Sequence, residues 1–200
     1  MSERAAGQTP GAGSSELRIL KFAVDWGAAP DVPAGAAAFT YHRTMTPMLW
    51  ALIVAGLLEL SLTHLVLALV LRLPMLAWTV FGITAFGLVW LIGLVNSLGK
   101  LPILVTAHGV RIRAGLLIDQ WLPLDQIAEV RTALDCGDLK RPGFLKASLL
   151  AYPNTLITLA SPVIVSLPFK APRDVSVIGL HPDDADGFVA AIAASKRAGG

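Results

Sequence analysis

The chain has 200 residues, which is room for one ordinary domain or two small ones. With 54% hydrophobic and only 15% charged residues, and a mean hydropathy of +0.65, it is too apolar for a purely soluble globular protein, so part of it is expected in lipid. The net charge of +2, without a dense run of lysine and arginine, argues against nucleic-acid binding. The single cysteine, Cys136, excludes an intramolecular disulfide.

Residues 1–46 are interpreted as an N-terminal cytoplasmic segment. Its first 16 residues are mostly Gly, Ala, Ser and polar side chains without periodicity, so ordering them would cost backbone entropy and bury little in return. A disordered tail is therefore expected at least to residue 16. Residues 39–43 bring aromatic and cationic groups to the start of the apolar region, a composition that suits the headgroup layer. No specific role follows for residues 17–46.

The apolar excess is concentrated in residues 47–98, where the only charged side chains are Glu59 and Arg72. Residues 47–71 form a run of about 25 residues, roughly 37 Å of helix, which is enough to cross a hydrocarbon core about 30 Å thick. An interruption ending at Pro74 separates it from a second helix over residues 75–98. Because the connection is so short, the two helices are expected to form an antiparallel transmembrane hairpin.

Basic residues near the ends of this hairpin predict its orientation. Arg43 precedes the first helix and Lys100, Arg111 and Arg113 follow the second, whereas Arg72 stands alone in the turn. The positive-inside rule therefore places both termini in the cytoplasm.

After Lys100 the sequence changes to short β-rich runs separated by turn residues, which is typical of an antiparallel all-β domain. Pro182, three aspartates and the apolar side chains of Phe188 and Ile192 then predict a closing helix. Residues 99–200 are interpreted as one domain, and a fragment over residues 103–197 is expected to fold by itself. The expected strands are 103–106, 110–114, 116–122, 127–131, 148–152, 156–159, 163–167 and 175–180.

The segment 105–117, VTAHGVRIRAGLL, and the segment 122–130, LPLDQIAEV, together with the terminal strand and helix over 175–192, resemble the bacterial PH-like (pleckstrin homology-like) domains. The resemblance covers about residues 103–195. Such domains occur directly after a helical hairpin in small membrane proteins. The resemblance implies a bent seven-stranded sheet capped by a helix, used for binding and scaffolding without shared catalytic chemistry.

The expected fold class is therefore a membrane α-helical hairpin with two transmembrane helices, followed by an all-β PH-like domain with a C-terminal capping helix. The expected location is the bacterial cytoplasmic (inner) membrane, as a multi-pass protein.

Four basic residues are candidates for binding lipid headgroups. Eukaryotic relatives of PH-like domains bind phosphoinositides through basic residues near the first hairpin, where this chain has Arg111 and Arg113 on one face of a strand. Lys140 and Arg141 form a basic loop that is a second candidate for contact with an anionic leaflet. The simpler interpretation of all four is a solvated basic surface.

Polar side chains inside the first apolar helix are the other candidates, because ionisable groups deep in a bilayer are costly and normally have a partner or a function. They are Glu59, Ser61, Thr63 and His64. At 100° per residue, Glu59 and Thr63 share one helical face, and Ser61 and His64 lie roughly opposite. Glu59 is expected to be protonated and hydrogen-bonded to the second helix or to a neighbouring subunit.

No phosphate-binding glycine loop, nucleophile elbow or metalloprotease helix is found, so no enzyme activity, cofactor or metal site is predicted. The predicted function is a non-enzymatic, membrane-anchored binding or scaffolding module, whose partners are the lipid bilayer and either another membrane protein or further copies of the chain. One alternative is a transport or channel accessory that uses Glu59 and His64. Another is anionic-lipid binding through Arg111 and Arg113, and a lipid-modifying enzyme ranks last. The sequence does not identify the partner.

Overall fold

The structure is a computed structural model that describes residues 22–23, 27, 29–132, 137–165 and 171–199. The predicted disordered tail over residues 1–16, as well as Cys136 and the side chain of Lys140, lie outside the described residues. In chain order the elements are β1 (Ala37–Phe39), α1 (Thr46–Leu65, continued by a π-helical turn over Val66–Val70), α2 (Pro74–Lys100), β2 (Ile103–Val105), β3 (Gly109–Ala114), β4 (Ile118–Pro123), β5 (Ile127–Arg131), β6 (Phe144–Lys146), β7 (Thr155–Val165), β8 (Arg173–Leu180) and α3 (Ala185–Gly199).

The helices α1 and α2 form the predicted hairpin, and both are long and apolar enough to cross a membrane. Each begins with a proline in its first turn, where a missing N–H costs no hydrogen bond. Gly56 allows the helices to approach closely, since a Cβ added there would lie 2.7 Å from the Leu88 Cδ2 atom. The chain reverses at Arg72, which has a left-handed backbone with φ of 53°. The bounds predicted for both helices are confirmed to within two residues.

In the residues that the structure describes, eight strands form two four-stranded sheets, in the orders β1-β2-β3-β4 and β5-β7-β8-β6. Among these strands every pairing is antiparallel except that of β6 with β8, which is parallel. The β3–β4 hairpin runs from Gly109 opposite Pro123 to Ala114 opposite Ile118, and Gly115, with φ of +55°, makes its turn. A Cβ at Gly115 would meet the Ser97 Oγ atom, so this turn packs directly on the end of α2.

The core lies between the two sheets and is closed by α3. Apolar residues of both sheets are fully buried, among them Ile112 and Ile178, and α3 contributes Phe188 and Ile192 to the same core. The helix begins at Ala185, three residues after the predicted start at Pro182, and the Gly187 N–H donates to the Asp184 carboxylate at 2.9 Å. This bond satisfies one of the free N–H groups at the helix start.

Some strand predictions were wrong. Residues 148–152 form a turn, in which Leu149 has φ of 50° and the Ser148 hydroxyl donates to the Ala151 carbonyl, so local hydrogen bonds replace a sheet ladder. The two strands predicted on either side of Pro162 are one strand, β7, whose pairing with β8 shifts register between Thr158 and Val163. A proline is tolerated at such an irregularity. The strands β1 and β6 were not predicted.

The β-domain also includes residues from the segment that the sequence assigned to a separate N-terminal region. Strand β1 pairs with β2, and the Phe39 ring meets the Phe188 ring edge to face at 5.3 Å. Tyr41 and Met45 are buried in the same core. The domain is therefore built from two stretches of chain, one on each side of the hairpin, and a boundary at residue 99 omits the first of them.

Candidate functional site

The junction between the hairpin and the β-domain is fixed by a buried tyrosine. The Tyr41 side chain is 2% exposed, its hydroxyl donates to the Leu101 carbonyl at 3.1 Å, and it accepts the Gly115 N–H. Burial raises the pKa of Tyr41 above its ordinary value, against the smaller opposing effects of the Gly115 hydrogen bond and the Arg113 charge. The segment before α1, the end of α2 and the β3–β4 turn thus share one hydrogen-bonding group.

A second set of contacts joins the residues before α1 to the loop that follows β8. The Asp183 N–H donates to the Thr40 carbonyl at 2.8 Å. The His181 Nδ1 atom donates to the Tyr152 carbonyl at 2.7 Å, because a carbonyl oxygen only accepts, and the His181 Nε2 atom lies 3.4 Å from the Thr44 hydroxyl. His181 therefore connects the domain to the residues before α1, at the end of the domain nearest the hairpin.

The Arg113 side chain, which was predicted to bind a lipid headgroup, is instead hydrogen-bonded inside the protein. Its guanidinium is 2% exposed, and it donates to the Asp31 carboxylate at 2.6 Å, to the Asp31 carbonyl at 2.7 Å and to the Pro102 carbonyl at 2.9 Å. These bonds hold the N-terminal segment against the start of β2. Arg113 is not available to a lipid headgroup in this arrangement.

Arg111 is also paired, but at the surface. It donates two bonds of 2.7 Å to the Asp119 carboxylate, and both side chains are 40% exposed. Hydrogen bonding to Asp119 raises the pKa of Arg111 above its ordinary value. The expected basic patch on strand β3 is therefore neutralised by two aspartates, a pairing that the spacing of the arginines did not reveal.

The basic loop centred on Arg141 is organised by a buried aspartate. The Asp138 side chain is 1% exposed and accepts from Arg131 at 3.0 Å and from Arg141 at 3.1 Å. The Arg141 side chain remains 56% exposed. Of the four predicted headgroup residues, Arg141 alone combines a described side chain with predominant exposure.

In the hairpin, His64 faces α2. Its ring lies edge to face against Trp78, with centroids 5.0 Å apart, and against Phe81 at 5.3 Å. The His64 Nδ1 atom is buried without a hydrogen-bond partner among the described residues. His64 therefore lies on the side of α1 that packs on the second helix.

Glu59 lies in α1, and its side chain is exposed in the single chain. No hydrogen bond or ion pair joins it to α2 or to any other described residue, so the expected bond to the second helix is not formed. Ser61 is also exposed, and its hydroxyl donates to the Leu57 carbonyl of its own helix at 2.8 Å. Thr63 is half-buried. The structure does not bring Glu59 and His64 together.

A cavity of about 180 Å³ lies between the beginning of α1 and the end of α2. His42 and Thr46 line one side, and Asn96, whose amide donates to the Phe22 carbonyl at 2.6 Å, lines the other. The sequence does not reveal these residues as a group, because the two sides of the cavity are about 50 positions apart in the chain and only helix packing brings them together. In the part of the chain that the structure describes, no cluster of three or more His, Cys, Asp or Glu side chains could hold a metal ion.

Comparison with known proteins found no matching family model, curated protein or solved structure. The class of protein that the fold defines is a helical hairpin whose two ends both enter one small β-domain of two sheets and a terminal helix.

Proposed function

We propose that the chain is a non-enzymatic binding or scaffolding module of the bacterial cytoplasmic membrane, anchored by its hairpin and carrying a PH-like domain on the cytoplasmic face. One observation carries the proposal. The residues before α1 and those after α2 are built into the same β-domain, through Tyr41, Leu101 and the β1–β2 pair. A domain held at both ends cannot swing away from its anchor.

The exposed surface of the hairpin supports insertion in lipid. Large apolar side chains point outward along both helices, with Leu58 68% and Ile83 70% exposed. In water an apolar surface of this extent favours aggregation, whereas acyl chains solvate it. The described part of the β-domain has few large exposed apolar residues by comparison, and Arg111 and Arg113 are paired with aspartates. The two parts are therefore suited to different solvents.

The arrangement of the β-domain supports the PH-like assignment. Among the described residues, seven strands follow the hairpin, they are divided between two sheets, and a C-terminal helix closes the core with Phe188 and Ile192. This order of strands and closing helix is compatible with the layout that the sequence resemblance implies, although that layout has one bent sheet where the chain has two. The location in the cytoplasmic membrane, with both termini cytoplasmic, follows from that resemblance and from the basic residues that flank the hairpin.

The rival functions receive less support from the same geometry. A proton or ion pathway would need Glu59 and His64 on a common face, and they lie on different ones. Anionic-lipid binding would need free cations on β3, and Arg111 and Arg113 are both engaged by aspartates. Binding of a protein partner requires neither condition.

Topology is tested with single cysteines in a Cys136→Ser chain. Arg72→Cys, in the hairpin turn, should react with an impermeant maleimide added to intact cells, and Arg197→Cys, on exposed α3, should react only after the membrane is opened. Labelling of position 197 in intact cells would refute the orientation, and extraction of the chain by alkaline carbonate would refute membrane insertion.

Partner binding is tested with photo-crosslinking residues at two exposed sites of the β-domain, Trp121 on β4 and Ile164 on β7. In native membranes at least one site should give a discrete adduct with the same protein in every preparation. The matched control is Leu150, which is also exposed but lies in the 148–151 turn. If correctly inserted chain gives no adduct at Trp121 or Ile164, or gives the same adduct equally at Leu150, the binding function is wrong.

A further inference from the structure

The outward side of α1 carries a continuous row of exposed residues at alternating spacings of three and four. This row, called here the α1 seam, consists of Leu52, Ala55, Glu59, Leu62, Val66 and Leu69. Alternate steps of three and four are the heptad pattern by which two helices pack side by side along their length. The seam runs along most of α1 and its π-helical extension, and the described part of the chain leaves all six of its residues exposed.

We propose that the α1 seam binds the same seam of a second copy of this chain, with the Glu59 carboxyl groups hydrogen-bonded to each other across the two-fold axis. The inference rests on the membrane insertion proposed above and names the partner in the membrane. It differs from the contact between α1 and α2, which uses another face of α1. That face is marked by Gly56, which touches Leu88, and by His64, which touches Trp78.

The position of the Glu59 carboxyl group indicates that another molecule covers the α1 seam. A carboxyl group exposed midway along a membrane-spanning helix has lost water and gained nothing in exchange, which is why such groups normally face protein. The described residues of this chain supply no partner for it, and the nearby Ser61 hydroxyl already donates to the Leu57 carbonyl. The missing hydrogen-bond partner must come from another molecule.

A second copy meets this requirement without further assumptions. All copies inserted with the same topology carry Glu59 at the same depth, so a two-fold axis along the membrane normal brings the two carboxyl groups face to face. Protonated carboxyl groups both donate and accept, so two of them satisfy each other. Ala55, one turn away, allows the helices to come close at this level. In coiled coils a single polar residue in such a seam also fixes register and the number of strands.

The first test is disulfide crosslinking of the full-length chain in native membranes, in a Cys136→Ser background. Cysteine at Leu62 or Leu69, in the seam, should give a covalent dimer on mild oxidation. The matched controls are Val54 and Leu57, which are 54% and 48% exposed but turned about 140° or more from Glu59. Equal crosslinking at all four positions, or stronger crosslinking at Val54 and Leu57, would overturn the seam.

The second test separates Glu59 from the apolar seam. Energy transfer between labelled copies in vesicles should show that Glu59→Leu needs about three- to tenfold more protein per lipid to associate, the effect of losing an interhelical hydrogen bond. Glu59→Gln should associate nearly as well as the unaltered chain, because an amide both donates and accepts. Unchanged association of Glu59→Leu would overturn the role of the carboxyl pair.

The outcome is distinguishable from failure of the proposed function. If carbonate extracts the chain, insertion and dimerisation both fail. If the chain is inserted with the expected topology but Leu62→Cys gives no dimer, or crosslinks only to a different protein, the second-copy inference alone is wrong.

Discussion

Removal of the Asp31 carboxylate should release the N-terminal segment from the β-domain without unfolding the rest. Arg113 is 2% exposed, and its Nη1 atom donates to the Asp31 Oδ2 atom at 2.6 Å. In Asp31→Ala the backbone carbonyl of residue 31 still accepts from the Arg113 Nη2 atom. Only the hydrogen bond from Nη1 to the carboxylate is lost, which leaves one donor of the buried Arg113 guanidinium without an acceptor. The segment that loosens contains β1, which is held to β2 by three residue pairs.

The expected size of the effect follows from the unequal burial of the two partners. A hydrogen bond to a charged group contributes about 1.5–3 kcal/mol, and exposed pairs contribute about 0–1 kcal/mol. Because the Asp31 side chain is 63% exposed while Arg113 is buried, we expect an intermediate cost of about 1–2 kcal/mol. That cost raises the population of the detached segment roughly 5–30-fold.

Hydrogen exchange of the β1 amides, measured on the full-length chain in detergent, should report this change directly. Asp119→Ala is the matched control, since it also removes a carboxylate from an arginine of β3, but from a pair in which both side chains are 40% exposed. It should leave β1 exchange unchanged and cost no more than about 1 kcal/mol. Equal effects of the two substitutions on β1 would refute the argument that burial of Arg113 decides the outcome.

Two further predictions concern close contacts. Tyr41→Phe leaves the Leu101 carbonyl and the Gly115 N–H without their shared partner and should lower the free energy of unfolding by about 1–3 kcal/mol in urea titrations. Because the pKa of Tyr41 is raised in the folded state, the contribution of Tyr41 to stability is complete below pH about 10 and is lost as the pH rises from there. The Tyr41→Phe variant should lack this pH dependence. Gly56→Leu places atoms against Leu88 and should weaken hairpin packing by about 1–3 kcal/mol in thermal unfolding, whereas Gly87→Leu, where a Cβ meets nothing within 4 Å, should be near neutral.

The sequence was most informative where one physical property repeats over many residues. The helices α1 and α2 are apolar over more than 20 residues each, so their ends were predicted closely. Strand β5 was predicted with its observed bounds, Ile127–Arg131. Strands β1 and β6 have three residues each, too few for a period of two to be recognised, and they form because other strands accept their backbone groups.

The ion pair of Arg113 could not be predicted from the sequence, because it joins residues that are distant in the chain. Arg113 and Asp31 are 82 positions apart, and nothing local to either residue indicates the other. The helical angles correctly separated Glu59 from His64, but the angle alone did not say which side would pack on α2. The side of α1 that packs on α2 is determined by Gly56, whose missing side chain leaves room for Leu88, and by the aromatic rings that contact His64.

The β-domain should fold in water without its hairpin, provided that both flanking segments are kept. The chain enters and leaves the hairpin at neighbouring points, since a Cβ at Gly99 would lie 3.9 Å from the His42 Nε2 atom. Replacing residues 46–98 by about eight Gly and Ser residues, which span up to roughly 25 Å, should therefore connect the two ends without strain. We expect a soluble product with dispersed amide spectra and cooperative unfolding.

A fragment over residues 103–197, which the sequence alone suggested as autonomous, should behave differently. It lacks β1, the Phe39 ring that meets Phe188, and the buried side chains of Tyr41 and Met45. Each buried side chain of this size contributes about 1.5–3 kcal/mol, so the combined loss is comparable with the 5–15 kcal/mol that stabilises a typical domain. The fragment should aggregate or unfold at denaturant concentrations that the linked version withstands. If the two unfold at the same denaturant concentration, residues 29–45 are not part of the folded unit, and the proposal that the domain is held at both ends of its anchor loses its basis.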